Sequence, residues 1–333
     1  MKIFAFPHVI IYELVKQMEP VELIALSLCS ETARAVVKGF ARIKNDFEIR
    51  KSYIRDRYGL FFRERQQTVI WAALETELNC ETFELESHRG FKLRIEQERN
   101  LCTYWKDVVH GCQEITAYVY DLFNASVSMI EIYEEHSLRI LDFVQQLQEQ
   151  QLKLVVTSGS HISAEGYSSI LRCTATESLK VWSVPPPGYR FDGNLPPVKN
   201  LFISFGGWIT RKQFLNVKSR NVRLRGTNLT MTDVNELLNC WFRGELPNLR
   251  FLECSMNMFR FYSGYPRVRL ETVKEEISYT WYRYMEAIEF QSPDSFHILL
   301  DDKVVATIKS DGSYFTLVVW PDLNGKLVSV GSL

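Results

Sequence analysis

The sequence predicts a mixed α/β protein: three short N-terminal helices, then a repeat-like strand–helix domain that closes in a β-meander. Three observations predict it. Apolar residues recur at helical spacing near the N-terminus, strands alternate with helices through the middle of the chain, and antiparallel-type runs joined by Asp-rich turns fill its last part. The 333 residues suggest two domains or one large one. A 46% hydrophobic share supplies a substantial core, and a net charge of −1 gives no global pull toward nucleic acid or membrane.

The N-terminal piece spans about residues 1–40. Val9, Ile10, Ile11, Leu14, Val15 and Met18 step by three and four after Phe6-Pro7. Glu19-Pro20 breaks that helix and opens the next, because proline at the first helical position loses no hydrogen bond. Leu23, Ile24, Leu26 and Leu28 follow, and Ser30 caps a third helix carrying Ala33, Val36 and Val37. Three helices of this length make too small a core to stand alone, so they need a partner surface or the rest of the chain.

Residues 41–104 read as an extended, β-type connecting segment with runs at Phe47–Ile49, Tyr53–Ile54, Tyr58–Phe62, Val69–Trp71 and Phe91–Ile95. Arg50, Lys51, Arg55, Arg57, Arg63 and Arg65 interleave with aromatics there, but Asp46, Glu48, Asp56 and Glu64 blunt the field. The expectation is a solvent-facing meander rather than a nucleic-acid patch.

From residue 105 onward the unit is strand plus helix. Trp105 to Asn124 carries a one-sided apolar stripe. Strands are expected at Val127–Ile132, Leu152–Val156, Leu179–Trp182, Leu201–Ile203, Val222–Leu224 and Leu249–Leu252. Ser137, Ser163, Thr210 and Thr230 are the expected helix caps, and the loop from Pro185 to Pro197 is stiff. The spacing lies in the range of leucine-rich-type repeats, though the layer is irregular. Alternation makes Arg223, Arg225 and Glu253 candidates for an exposed sheet face. Phe296 to Trp320 is a meander with turns at Asp301-Asp302 and Asp311-Gly312.

Seven widely spaced cysteines, with no Cys-x-x-Cys pair, argue against zinc or a disulfide framework and for a reducing, intracellular compartment, cytoplasmic or nuclear. Pro7, His8 and Glu13 interrupt the first apolar run, so no signal peptide is expected, and no apolar run is long enough to span a membrane. No nucleophile elbow, zinc-protease, Walker or dinucleotide motif is present. Ser158-Gly159-Ser160-His161 reads as a strand-to-helix connection, His110 and Cys112 do not share a helix face, and Asp233 and Asn235 are accounted for by helix capping. No catalytic, metal or cofactor site is expected, and the chain is read as a non-enzyme.

Two stretches carry a resemblance. Phe6-Pro7 followed by Met18-Glu-Pro-Val-Glu-Leu-Ile-Ala-Leu-Ser-Leu-Cys29-Ser30 resembles an F-box. Thr230, Asp233, Asn235, Leu238, Trp241 and Gly244, with Leu229 before and Leu246-Pro-Asn-Leu249 after, resemble the core motif of the type 2 F-box-associated domain of nematode F-box proteins. Phe296 to Trp320 resembles that family's C-terminal end. The resemblance implies an F-box at 1–40 and an F-box-associated domain over 105–333 with its meander from about 296. It implies that Phe6, Pro7, Ile11, Leu14, Pro20, Leu23, Leu26, Leu28 and Cys29 form the docking face or F-box core for the Skp-type linker of a cullin–RING ubiquitin ligase. The rest would recruit an unknown protein substrate. The alternative is a free-standing repeat-like interaction module whose N-terminal helices only cap its core.

Overall fold

The computed structural model describes residues 7–41, 46–52, 55–62, 67–77, 85–87, 89–95, 101–173, 176–255, 267–269, 295–300, 303–310 and 314–319. The chain divides into two compact units, 1–162 and 163–333.

The first unit opens with α1 (His8–Gln17), α2 (Pro20–Cys29) and α3 (Glu31–Phe40). Each boundary has a local cause. Pro20 holds the first position of α2, the Glu22 carboxylate accepts the Glu19 N–H at 2.8 Å, and the Ser30 hydroxyl accepts the Ala33 N–H at 3.1 Å at the head of α3. Strands β1 (Phe47–Lys51), β2 (Arg57–Phe62) and β3 (Gln67–Leu74) form an antiparallel run, followed by the two-residue β4 (Leu85–Glu86), β5 (Lys92–Ile95) and β6 (Leu101–Trp105). Helix α4 (Val108–Phe123) leads to β7 (Val127–Glu134), then α5 (Leu138–Leu147) and β8 (Leu154–His161). The sheet order within this unit is β4-β5-β6-β3-β2-β1-β7-β8. Because β1 pairs parallel with β7, the strands of the 47–105 stretch lie in the same sheet as the first strand–helix unit. Phe47, Ile49, Tyr58, Leu60 and Ile70 from the strands and Ile115, Val119 and Leu122 from α4 are buried.

Several local expectations are corrected here. Trp105 ends β6 instead of beginning the helix; α4 starts at Val108, capped by Asp107, whose carboxylate accepts the Val109 and His110 N–H groups at 2.9 and 3.2 Å. Ser137 does not cap α5; its hydroxyl takes the Glu134 N–H and lies 2.6 Å from the Tyr58 hydroxyl. The basic residues of the 50s are not all solvent-facing. Lys51 and Arg57 are buried, Lys51 on Asp56 and Glu134, Arg57 on Glu77. Tyr53, Ile54, Arg63 and Arg65 lie outside the described residues. Ser158 to His161 continue β8 rather than forming a loop, and Gly159 is there because a Cβ would drive into the Tyr133 carbonyl.

In the second unit α6 (Ala164–Arg172) precedes β9 (Ser178–Val181), β10 (Asn200–Ile203), α7 (Arg211–Leu215), β11 (Asn221–Leu224), α8 (Met231–Phe242) and β12 (Phe251–Ser255). These four strands pair parallel in unbroken register, with Leu179, Leu201, Val222 and Leu252 in one buried row and Val181, Ile203, Leu224 and Cys254 in the next. At the strand entrance the Asn221 amide donates to Asn200 at 2.6 Å and the Asn200 amide to Ser178 at 2.8 Å, a polar ladder one residue ahead of the apolar rows. The β9–β10 crossover carries the proline-rich loop instead of a helix; Gln213 pins it by donating to the Phe191 and Gly193 carbonyls, and the rings of Tyr167, Tyr189, Phe191 and Trp208 pack edge to face against it. Strands β13 (Arg267–Arg269), β14 (Ser295–Leu300), β15 (Lys303–Ser310) and β16 (Tyr314–Val319) complete this part in the order β9-β10-β11-β12-β16-β15-β14-β13, and β14–β15–β16 is the expected antiparallel meander.

Candidate docking site

The N-terminal helices divide sharply into an inward and an outward set. On α2 the buried residues are Leu23, Ile24, Ser27 and Leu28, and on α3 they are Ala33 and Val37. Helix α2 packs on α3 and touches β3, and α3 packs on α4. Polar links accompany the packing. The Tyr118 hydroxyl donates to the Ser27 hydroxyl at 2.9 Å, both groups buried, and the Asp121 carboxylate takes Arg34 and Lys38 together. Burial raises the Tyr118 hydroxyl above its ordinary value, and the hydrogen bond from Lys38, aided by the charges of Lys38 and Arg34, holds Asp121 below the usual carboxylate range.

Helix α1 is different. Ile11 and Val15 face inward, and Tyr12 and His8 set their rings edge-on to Phe40 of α3. Val9 is 73% exposed, Ile10 45% and Leu14 47%. Ile10 and Leu14 stack at i,i+4 spacing with Val9 beside them, so one side of a ten-residue helix presents apolar groups to water.

Of the residues expected to dock, Pro7, Leu14 and Cys29 are exposed, and Pro20 and Leu26 are half-buried. Ile11, Leu23 and Leu28 are buried, which makes them core. Phe6 lies outside the described residues. Sequence reasoning placed Val9 and Ile10 on the helix but did not separate them from its packed side. Periodicity alone cannot say which of two apolar stripes finds cover within the chain.

The second motif is structural in its geometry. Thr230 and Asp233 form a reciprocal box: the Asp233 carboxylate accepts the Thr230 N–H at 2.8 Å and its hydroxyl at 2.7 Å, and the Asp233 N–H reaches the Thr230 hydroxyl. Leu238 is buried, Asn235 is half-buried, and Gly244 ends the helix at φ 75°. Trp241, expected in the buried stripe, is half-buried and packs on the exposed Phe242 ring. Arg223 and Glu253 do not line an open sheet face. Both are buried and pair at 3.0 Å, while Arg225 is partly exposed with its guanidinium over the Phe202 and Tyr314 rings.

The remaining chemistry-bearing groups are engaged structurally. Ser158 donates to Glu131 at 2.8 Å. The side chains of Ser160 and His161 lie outside the described residues. Cys112 is fully buried and its thiol is pushed up to about 12, which keeps it protonated, while His110 is exposed against the Trp105 ring. Among the described residues Asp56, Glu134 and His136 are spaced as a cation could use, but the Lys51 ammonium already bridges the two carboxylates. No helix among the described residues is long and apolar enough to cross a membrane.

Comparison with known proteins adds two observations. Residues 195–254 match the family model described as F-box associated, a span that runs from the proline-rich loop to β12 and contains the whole Thr230–Gly244 motif. The chain is also 23% identical to the Skn-1 dependent zygotic transcript 15 protein of Caenorhabditis elegans, over 93% of this chain and 94% of that protein. No solved structure matches it.

Proposed function

We propose that this chain, F-box associated across residues 195–254, is a substrate-recruiting adaptor of a cullin–RING ubiquitin ligase. The observation that supports this most is the open apolar side of α1, Val9, Ile10 and Leu14, in a segment whose sequence resembles an F-box. In this reading residues 1–40 are the F-box and the Skp-type linker protein covers that side of α1 together with Pro7, Leu26 and Cys29. The remainder of the chain, with the F-box-associated domain at 105–333, recruits a protein target. The mechanism is positional: holding a target beside the transfer machinery raises its local concentration, and the chain performs no bond-making step itself. Such work belongs inside the cell, in cytoplasm or nucleus.

A second reading has its own support. Leu23, Ile24 and Leu28 are buried within the chain and Ser27 is tied to Tyr118, as helices that merely cap a core would be. One experiment separates the two. The full chain is mixed with a purified Skp-type linker, alongside the Ile10→Asp/Leu14→Asp double variant, which alters exposed positions only. The adaptor reading expects binding that the double variant loses. No binding by the parent chain leaves the capped module; equal binding by both keeps the linker and overturns α1 as the docking face.

A further inference from the structure

We propose that Tyr118 and Asp121 on α4 are positioning residues that fix the N-terminal helices, and with them the open side of α1, in one orientation on the first unit. This rests on the reading of α1 as a docking surface. The three helices could have been tethered by chain alone; instead each inner helix is latched to the same side of α4. Helix α2 is latched by a hydroxyl pair, Tyr118 to Ser27 at 2.9 Å, with both side chains buried. Helix α3 is latched by one carboxylate that holds two cations a turn apart, Arg34 and Lys38. The Arg34 guanidinium also lies over the Tyr118 ring, 5.8 Å from its centre, so the two latches share a residue. Helix α1 packs on α3 through Phe40.

The chemistry of these groups is directional in a way that the apolar packing is not. Leu, Ile and Val side chains hold two helices together but tolerate sliding and rotation, because dispersion contacts are individually weak and non-directional. The Tyr118 hydroxyl must meet Ser27 at hydrogen-bond distance or be desolvated without return, while Ser27 itself also donates to the Ile24 carbonyl at 2.7 Å and so offers its oxygen in a fixed direction. A carboxylate bridging residues 34 and 38 fixes the rotation of α3 about its axis, since only one face of that helix carries both cations. Three directional links on two helices fix the α2–α3 pair on α4, and α1 takes its place from that pair by packing Ile11, Val15 and its rings against it. A partner seated on Val9, Ile10 and Leu14 is thereby held at a set place relative to the β1–β7 sheet, which is what a positional mechanism requires.

The test uses the full chain with Tyr118→Phe and Asp121→Asn combined, which removes the hydroxyl link, the negative charge and one of the two acceptor oxygens while keeping the aromatic and the side-chain volume. Amide hydrogen exchange is read on α1–α3 and on β1, β2 and β7, and affinity for the Skp-type linker is measured in parallel. The expected result is protection of α1–α3 falling at least about tenfold with the strands unchanged and linker affinity within about threefold of the parent, a local opening and not a global one. Asp121→Glu with Tyr118 retained should restore most of the protection. Protection unchanged in α1–α3, or lost equally in the strands, overturns the assignment. Failure of the parent chain to bind the linker sinks the docking reading instead and leaves the exchange result standing.

Discussion

Replacing Gly111 by alanine should destabilise the protein, against the ordinary rule for helices. Gly111 sits inside α4 with backbone dihedrals any residue adopts, so helix propensity alone predicts a gain of about 1 kcal/mol. The obstacle is Trp105. A Cβ at 111 would fall inside the indole, with even the third-nearest ring atom, Cδ2, only 2.7 Å away. The ring has little room to retreat: Nε1 donates to the Thr103 hydroxyl at 2.8 Å, and Phe91 packs 5.2 Å from it between centres. Forcing it outward carries an overpacking cost of about 1–3 kcal/mol. Losing the indole hydrogen bond adds about 1 kcal/mol. The balance is a net loss of about 1–3 kcal/mol. Urea unfolding of Gly111→Ala, Trp105→Ala and the double variant forms a cycle in which the alanine turns neutral or stabilising once the indole is gone, with a coupling energy of about 2 kcal/mol. A Gly111→Ala protein more stable than its parent, or the same cost in both backgrounds, would refute the argument.

Other consequences can be checked as directly. Thr230→Ala removes the hydroxyl half of the box at the head of α8 and should cost about 1 kcal/mol in urea unfolding. Gly244→Ala places a Cβ at φ 75° and should cost about 1 kcal/mol, although nothing crowds the site. Asp121 has a folded carboxyl held below its ordinary value of 3.8, so its contribution is complete above that pH and disappears as pH falls through the lower folded value; Asp121→Asn should lower stability at neutral pH, change it little in strong acid, and so flatten the acid limb of the urea-unfolding stability curve. Iodoacetamide should modify the exposed Cys29 in the native protein while sparing Cys112, whose thiol is buried and raised to about 12; rapid labelling of Cys112 before unfolding would contradict the core assignment.

What the sequence disclosed and what it withheld follow from the range of each physical cause. Helix starts are set by residues three apart, so Ser30, Ser163, the Thr210–Gln213 box and the Thr230 cap were all legible, while the return bond from Asp233 to Thr230 was not. The parallel rows of β9–β12 were legible because apolar residues recur at every second position, with Lys180, Arg223 and Glu253 between them in β9, β11 and β12 and only Leu201-Phe202-Ile203 apolar throughout. Strand β6 was missed because Leu101–Trp105 runs almost directly into α4, with only Lys106-Asp107 between, and the apolar stripe of the helix extends backward through Trp105 by coincidence of spacing. Ser158 to His161 looked like a turn because glycine and serine favour turns, whereas this glycine answers a close carbonyl across β7–β8. Arg223 and Glu253 looked exposed because alternation reports which face a side chain occupies and nothing about what covers that face. The docking residues were half legible for the same reason. That α1 and α2 are amphipathic is local information, but which stripe meets a neighbouring element is decided by tertiary packing.

The ladder of Asn221, Asn200 and Ser178 makes the second unit intolerant of one kind of change and indifferent to another. Adding or deleting a single residue inside β10 would break the amide rung and turn the strand over, sending asparagine inward and leucine outward at one stroke. The segments that join one rung to the next carry no such constraint, and the stiff proline-bearing span between β9 and β10 already shows one built without a helix. Novelty in this half of the molecule therefore has a permitted address: the crossovers can lengthen, shorten or change composition while the ruled lines of the sheet stay where they are.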